Sequence, residues 1–269
     1  MKCLRITSPS NPHIREMLSI LRRRSEPGDR FFLIEGIHLV EMALDAGAAI
    51  KEVFFTPQFD SKEEGVRMLN RLAAGGIRLV EVTGQIMSRL TDTETPQGIA
   101  AVVRHQAKRL GDLTLSSRPL LVVLDRIQDP GNLGTIIRTS DAASGDAVLL
   151  LPSTCDPFMQ KTIRSTAGSI FNIPVIQVGL DELTAFLRAS DVKLGIASSD
   201  ARTALFETDL KIPAALVFGN EAQGVSSEMR EVADFSFRVP IPGKAESLNV
   251  ATAAAVCVYE AIRQRQQIP

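Results

Sequence analysis

The feature that most restricts the fold is a series of short apolar runs in the second half of the chain, most of them separated by stretches long enough for a helix. The first run, Leu120–Asp125, is apolar at five consecutive positions, as expected of a strand that is buried on both faces of a sheet. The later runs lie at 147–151, 173–177, 192–197, 214–218 and 235–239. Strands that alternate with helices form a parallel sheet covered by helices. The sequence therefore predicts a doubly wound α/β domain over residues 119–269.

A smaller α/β pattern precedes it, over residues 1–105, and predicts a mostly parallel or mixed sheet covered by helices. The helical patterns cover 10–24, 37–46 and 62–74, and the extended segments cover 31–35, 50–56, 77–82 and 99–104. Residues 106–118 lose the apolar periodicity and are typical of a linker. A chain of 269 residues with 45% hydrophobic residues can bury the two cores that this division requires.

Glycine and polar residues are concentrated at three strand ends in the second domain. The first junction reads Asp129-Pro130-Gly131-Asn132-Leu133-Gly134, with a tight loop expected at 131–134 and Arg138 on the following helix. The second is Gly219-Asn220-Glu221-Ala222-Gln223-Gly224, and the third runs from Val239 through Ser247 and Asn249 into the last helix. Doubly wound folds bind ligands at the carboxyl ends of their strands, and helix starts there offer unpaired N–H groups. The three junctions therefore predict one ligand site.

In order and spacing, these junctions resemble the three signature motifs of the SpoU (TrmH-like) branch of the SPOUT RNA methyltransferases, over residues 119–266. The resemblance implies methylation of an RNA ribose 2′-hydroxyl with S-adenosylmethionine as cofactor. It also implies a C-terminal segment threaded through a loop into a deep trefoil knot, which general rules of chain topology would not suggest.

The first domain has a resemblance of its own. Phe32–Gly36, Val53–Thr56 and Thr95–Ile99 are similar to segments of the ribosomal-protein-L30e-like substrate-binding domain found in many enzymes that modify ribosomal RNA. A plain small α/β domain, in which Gly36 and Gly98 serve only as turn residues, is the alternative.

The resemblance assigns five residues to catalysis: Arg138, Asn132, Glu221, Ser247 and Asn249. Methylation requires a hydroxyl to lose its proton while its oxygen attacks a sulfonium methyl group in line. Because a guanidinium stays protonated, we expect Arg138 to orient a phosphate and stabilise the developing alkoxide. Purely structural roles are also open: an ion pair of Arg138 with Asp141, turn capping by Asn132, a helix-start carboxylate at Glu221 and an N-cap at Ser247.

The cofactor is expected to be held mainly by backbone groups of three loops. The resemblance places Ala197, Ser198, Gly219, Val239, Ile241 and Leu248 there, with apolar Val239, Ile241 and Leu248 enclosing the adenine. The Gly-x-Gly-x-x-Gly fingerprint of dinucleotide-binding enzymes is absent, which disfavours a Rossmann oxidoreductase. No metal is expected, because the acids near these loops form no cluster and the three cysteines lack metal-ligand spacing.

The expected partner is RNA, with 23S ribosomal RNA favoured over transfer RNA, and a catalytically silent RNA-binding protein is a further alternative. Residues 1–30 carry seven Lys or Arg against three acids, including the run Arg22-Arg23-Arg24, although the whole chain has a net charge of −1. This segment is either a phosphate-contacting patch or a solvated helix face. The sequence does not identify the modified nucleotide, nor whether the modification is housekeeping or confers antibiotic resistance.

The last helix, expected from Leu248 to about Gln264, carries small or apolar residues on more than one face. It predicts a homodimer through the C-terminal domain, in which, by resemblance, Asn132 and Arg138 act at the partner's cofactor site. A cytoplasmic protein without a membrane helix is expected, since the cysteines are sparse and no long apolar run occurs.

Overall fold

The computed structural model describes residues 3–22, 29–91, 93 and 95–266. The chain divides into two compact units, Met1–Ala107 with Phe158–Arg164, and Lys108–Pro157 with Ser165–Pro269. Each unit contains a sheet covered by helices, which confirms the predicted α/β class.

The first unit has a five-stranded mixed sheet. Its strands are β1 (Leu4–Ile6), β2 (Asp29–Glu35), β3 (Ala49–Phe55), β4 (Arg78–Val82) and β5 (Ile99–Gln106). Its helices are α1 (Pro12–Arg22), α2 (Ile37–Asp45), α3 (Pro57–Asp60), α4 (Glu63–Ala74) and α5 (Gly84–Leu90). The strand order is β1-β4-β3-β5-β2, with β5 antiparallel to both of its neighbours. Arg22 ends α1, while Arg23 and Arg24 of the basic run lie outside the described residues.

Two of the segments that suggested an L30e-like domain meet in this unit. Glu35, at the end of β2, accepts hydrogen bonds from Thr93 Oγ1 at 2.8 Å and from Gln97 N at 3.2 Å. Gly36 follows with φ +93°, and a Cβ there would lie 2.7 Å from Gln97 Oε1. Glycine is therefore required at position 36 both for its backbone conformation and for the close approach of Gln97.

The second unit has a six-stranded sheet that is parallel throughout. Its strands are β6 (Leu120–Asp125), β7 (Ala147–Leu150), β8 (Val175–Gln177), β9 (Lys193–Ala197), β10 (Ala214–Gly219) and β11 (Phe235–Phe237). The remaining helices are α6 (Pro130–Ala142), α7 (Gln160–Thr166), α8 (Leu180–Ala189), α9 (Ser227–Val232) and α10 (Val250–Gln266). The division of the chain into two units falls within α7, between Arg164 and Ser165. The strand order is β11-β9-β10-β6-β7-β8.

Helices cover both faces of this sheet. Leu120, Val122 and Leu124 of β6 pack in a core with α6 and α10, while Leu121 and Val123 pack in a second core with α8 and α9. Every residue of β6 is buried, as its continuous apolar run predicts.

The segment 108–118, which follows the first unit in the sequence, packs against the core of the second unit. Leu110 lies in a short 3₁₀ turn at Leu110–Asp112 and is buried in the core beneath α8, and Leu113 and Leu115 pack against the same core. Residues 108–118, assigned by sequence to the linker, thus contribute apolar contacts to the second unit.

The end of α10 is fixed to the starts of the central strands. Arg265 donates to the carbonyl oxygens of Pro119, Leu210 and Ile212, and burial lowers the pKa of its guanidinium. These bonds hold α10 along the sheet, so that its N-terminal end lies near the carboxyl ends of the strands. Among the helices that the structure describes, none has both the length and the apolar character needed to cross a membrane.

Candidate active site

The first motif follows directly after β6. Asp129 caps α6, because its Oδ1 accepts a hydrogen bond from Asn132 N at 2.9 Å, and Pro130 occupies the first helical position. Residues 131–134 therefore belong to the start of α6, and the prediction of a tight loop there is wrong. The side chain of Asn132 projects from a helix start at the edge of the sheet.

The second motif is a compact loop after β10. Asn220 Oδ1 accepts from the N–H groups of residues 222 and 223, both at 3.0 Å, and Gly224 N donates to Asn220 O at 2.8 Å. A Cβ on the buried Gly219 would lie 2.3 Å from the carbonyl carbon of Gly224. The chain can fold back this closely only because position 219 has no side chain.

Glu221, at the tip of this loop, reaches the start of α6. Its carboxylate accepts from Asn132 Nδ2 at 2.9 Å and from the backbone N–H groups of Gln128 and Asp129, both at 3.2 Å. Partial burial opposes ionisation, but the hydrogen bonds from Asn132 and the backbone outweigh it and lower the pKa of Glu221. A fixed negative charge therefore joins the first two motifs.

The third motif contributes Asn249 to the site. Its Oδ1 accepts from Ala251 N at 2.9 Å and Thr252 N at 3.2 Å, and its Nδ2 donates to Asn132 Oδ1 at 2.9 Å. Asn249 is thus the capping residue of α10, which begins at Val250. The N-cap role that sequence offered for Ser247 is wrong, because the helix starts three residues after it.

Asn132 uses both ends of its amide, donating to Glu221 and accepting from Asn249. The chain of hydrogen bonds Glu221–Asn132–Asn249 therefore connects all three motifs at one edge of the sheet. Side chains from parts of the sequence that are far apart converge on a single amide, which no local turn would require.

Two of the five predicted catalytic residues stand apart from this chain of bonds. Arg138 is exposed on α6, and it forms no hydrogen bond or ion pair with any other residue that the structure describes. The suggested partner Asp141 instead accepts from Asn172 Nδ2 at 3.1 Å. Ser247 is exposed in the irregular segment before α10. Both side chains are free to meet a ligand or another chain.

The predicted cofactor residues lie at the same end of the sheet. Ala197, Gly219 and Val239 end or follow the adjacent strands β9, β10 and β11, and Ser198 N donates to Phe237 O at 2.9 Å. Further along the third motif, Ile241 is half-buried and Leu248 is 37% exposed. In the described part of the chain, no group of three or more His, Cys, Asp or Glu side chains could hold a metal ion.

Sequence reasoning missed three residues that shape this edge. Asp125 is buried at the end of β6 and accepts from Ser226 N at 2.6 Å. Arg126 follows with φ +61°, and Gln128 Nε2 donates to the carbonyl oxygens of Arg126 and Ser153. The carboxylate at the end of an apolar run was a usable signal for Asp125. No local pattern in the sequence indicated a role for Arg126 or Gln128.

A parallel sheet with polar groups from three strand ends defines an α/β ligand-binding domain. A model of the SpoU rRNA methylase family matches residues 119–259, and a model of the MRM3-like substrate-binding domain matches residues 11–101. The chain belongs to the SpoU rRNA methylase family. This confirms the SpoU resemblance and the presence of an N-terminal substrate-binding domain.

Relatives match over nearly the whole chain. The 23S rRNA (guanosine(2553)-2′-O)-methyltransferase RlmP of Bacillus subtilis is 39% identical over 254 residues, which cover 94% of this chain and 97% of the relative. An AdoMet-bound rRNA methyltransferase from Sinorhizobium meliloti has a TM-score of 0.84 at 33% identity, covering 96% of this chain and 97% of that chain. The SpoU methyltransferase AviRb of Streptomyces viridochromogenes has a TM-score of 0.83 at 25% identity, covering 95% and 98%.

Proposed function

We propose that this protein is an S-adenosylmethionine-dependent methyltransferase that modifies a ribose 2′-hydroxyl of 23S ribosomal RNA. The observation that carries the proposal is the hydrogen-bonded chain Glu221–Asn132–Asn249, which assembles the three family motifs at one edge of the sheet. The names of the relatives, which include 23S rRNA 2′-O-methyltransferases, support the same substrate class.

The electrostatics of this edge suit a cationic cofactor. The pKa of the Cys155 thiol is raised to about 11, first by burial and then by the negative charges of Glu221, Asp129 and Asp156. Glu221 lies in the loop that directly follows Gly219, so its negative charge favours a sulfonium there, and the cofactor supplies an electrophilic methyl group when bound. The backbone of Ala197, Ser198 and Gly219 and the apolar side chains of Val239, Ile241 and Leu248 would hold it.

Within this reaction, we assign a positioning role to Asn132, Asn249 and Glu221. Arg138 is assigned to contact with the substrate. Its exposed guanidinium would orient an RNA phosphate and stabilise charge that develops on the 2′-oxygen. Asn132 and Glu221 would keep the first turn of α6 in place, and Asn249 would keep the third motif beside it. Ser247, exposed in the third motif, would hydrogen-bond the substrate.

The free position of Arg138 is consistent with a homodimer in which α6 contributes to the partner's site. Most apolar residues of α10 pack against their own core, but Tyr259 on this helix is 50% exposed, and Phe206 in the 3₁₀ turn Leu205–Glu207 is 61% exposed. Contiguous apolar surface favours an interface, and these two side chains belong to elements that pack against each other. We therefore propose that α10 lies at a two-fold axis of the dimer.

RNA binding would involve the first unit. Arg15, Arg22 and Arg89 line one recess of about 460 Å³ beside α1 and α5, where they could contact phosphates.

We also propose the domain division 1–105 and 119–269, a knotted C-terminal segment as in the resembled family, and a cytoplasmic location with the ribosomal substrate.

A methyl-transfer assay with labelled S-adenosylmethionine tests the proposed function. Purified wild-type protein should label 23S rRNA from a strain that lacks the gene, and it should leave transfer RNA unlabelled. Arg138→Ala should abolish transfer while S-adenosylmethionine affinity, measured by calorimetry, changes by no more than a few-fold. The matched control is Arg188→Ala, an exposed arginine on α8, which should transfer normally. Full turnover by Arg138→Ala would refute its assignment, and labelling of transfer RNA alone would refute the substrate.

A further inference from the structure

Arg126 occupies an unusual backbone position beside the candidate site. It follows the last residue of β6 with φ +61°, a conformation that side-chain-bearing residues rarely adopt. The preceding residue, Asp125, is only 2% exposed, so its carboxylate needs partners inside the protein.

The side chain of Arg126 connects this strand end to the second-motif loop. Its Nε donates to Asp125 Oδ1 at 3.2 Å, its Nη1 to Gln223 Oε1 at 3.2 Å and its Nη2 to Gly224 O at 3.4 Å. A planar guanidinium holds its N–H donors in fixed directions and can serve these three acceptors at once. The ammonium of lysine is a compact charge on a flexible stem, and its donors are not fixed in this way.

Backbone bonds complete the connection. Arg126 N donates to Thr154 Oγ1 at 3.0 Å, and Arg126 O accepts from Asn220 Nδ2 at 3.0 Å. On the other side of the loop, Asp125 Oδ2 accepts from Ser226 N at 2.6 Å. Both ends of the segment 220–226 are therefore held by residues 125 and 126, and Glu221 lies between them.

We propose that Arg126 is a positioning residue for methyl transfer, holding the loop 220–224 in the shape in which Glu221 reaches Asn132. It acts through Glu221 and does not contact the substrate. The unusual backbone conformation follows from this role, because it directs the side chain across the loop while the carbonyl oxygen receives Asn220. This inference rests on the proposed function for its kinetic consequences and on the loop geometry for its structural ones.

The variant Arg126→Gly removes the whole side chain, including the guanidinium, and keeps the backbone conformation accessible, because glycine adopts positive φ freely. We expect kcat to fall by about ten- to a hundred-fold, as for other small misplacements at a reaction centre, with little change in KM for RNA or cofactor. Arg126→Lys should recover only part of this loss. Ser144→Gly is the matched control: it also relieves a positive φ, of 54°, but at the end of α6, and it should leave kcat unchanged.

A double-mutant cycle tests whether Arg126 acts through Glu221. In a Glu221→Gln background, Arg126→Gly should lower kcat by less than about two-fold, because the interaction that it supports is already lost. Full additivity of the two losses would overturn the positioning role. A rise in KM for RNA with unchanged kcat would overturn it too, since it would indicate direct substrate contact.

Hydrogen exchange gives a readout that needs no activity. In Arg126→Gly, the amides of 219–226 and of Gln128 and Asp129 should exchange about tenfold faster, while the strand β6 stays protected. Unchanged exchange would overturn the inference even if kcat fell. If the wild-type protein methylated no RNA, the proposed function would fail, and the exchange experiment would still decide whether Arg126 orders the loop.

Discussion

At the scale of single residues, the site depends on matching donors to acceptors. Glu221 offers carboxylate oxygens to three donors: the side chain of Asn132 and the N–H groups of Gln128 and Asp129. A glutamine in its place has only one acceptor oxygen and would turn an N–H₂ group towards a donor. The negative charge of Glu221 therefore has a geometric role as well as an electrostatic one.

Glu221→Gln should destabilise the protein at neutral pH but not in acid. The folded-state pKa of Glu221 is lowered from 4.5, so the stability from its ionised form is fully present above 4.5 and is lost as the pH falls through the lower folded value. The difference in Tm between wild type and Glu221→Gln should therefore shrink as the pH is lowered below 4.5. A Tm difference that stays constant across this range would contradict the assigned hydrogen bonds.

The sequence allowed part of this site to be predicted. The resemblance to the SpoU motifs singled out Asn132, Glu221 and Asn249, and the structure joins their side chains by hydrogen bonds, while their catalytic roles stay a prediction. The alternative in which Ser247 caps α10 was wrong, because serine and asparagine are both good caps and the choice depends on where tertiary packing lets the helix start. Arg126 could not be found, since its role depends on a backbone angle and on contacts with residues about 100 positions away.

At the scale of elements, the second-motif loop depends on a close contact between two glycines. In Gly219→Ala, the new Cβ would meet the backbone of Gly224 at about 2.3 Å, a distance that no side-chain adjustment can relieve. We expect a loss of about 1 to 3 kcal/mol in the free energy of unfolding, as for other overpacked sites, and a strong fall in methyl transfer.

The matched control for this change is Gly111→Ala, where a Cβ would have no neighbour within 4 Å. Its unfolding free energy, measured in urea, should stay within about 0.5 kcal/mol of wild type. Equal stability of the two variants would show that the loop is not closed as described.

The strands of the second unit were predictable because burial on both faces gives continuous apolar runs, and β6 was located to the residue. The order of the strands in the sheet was not predictable. For example, β10 pairs with β6 although more than 80 residues separate them, and local sequence patterns carry no information on such pairings. For the first unit, a mostly parallel or mixed sheet was expected and the sheet is mixed, but the sequence did not identify β5 as the strand that runs antiparallel to β2 and β3.

At the scale of the whole molecule, the proposed dimer predicts the effect of a charge on α10. Tyr259→Glu should convert a dimer into a monomer in light scattering, and methyl transfer should fall because Arg138 would lose its site on the partner. Val66→Glu places the same charge at a residue that is 42% exposed on α4 of the first unit, and it should remain dimeric and active. A fully active Tyr259→Glu monomer would rule out catalysis across the interface.

The most direct test of the central claim is a nucleotide-resolution map of 2′-O-methylation in ribosomal RNA from a strain that lacks this gene. We predict that a ribose methyl group in 23S rRNA disappears, that wild-type protein restores it, and that Asn132→Ala, which breaks the bonds joining the three motifs, does not. An unchanged 23S rRNA map, or full restoration by Asn132→Ala, would contradict the account.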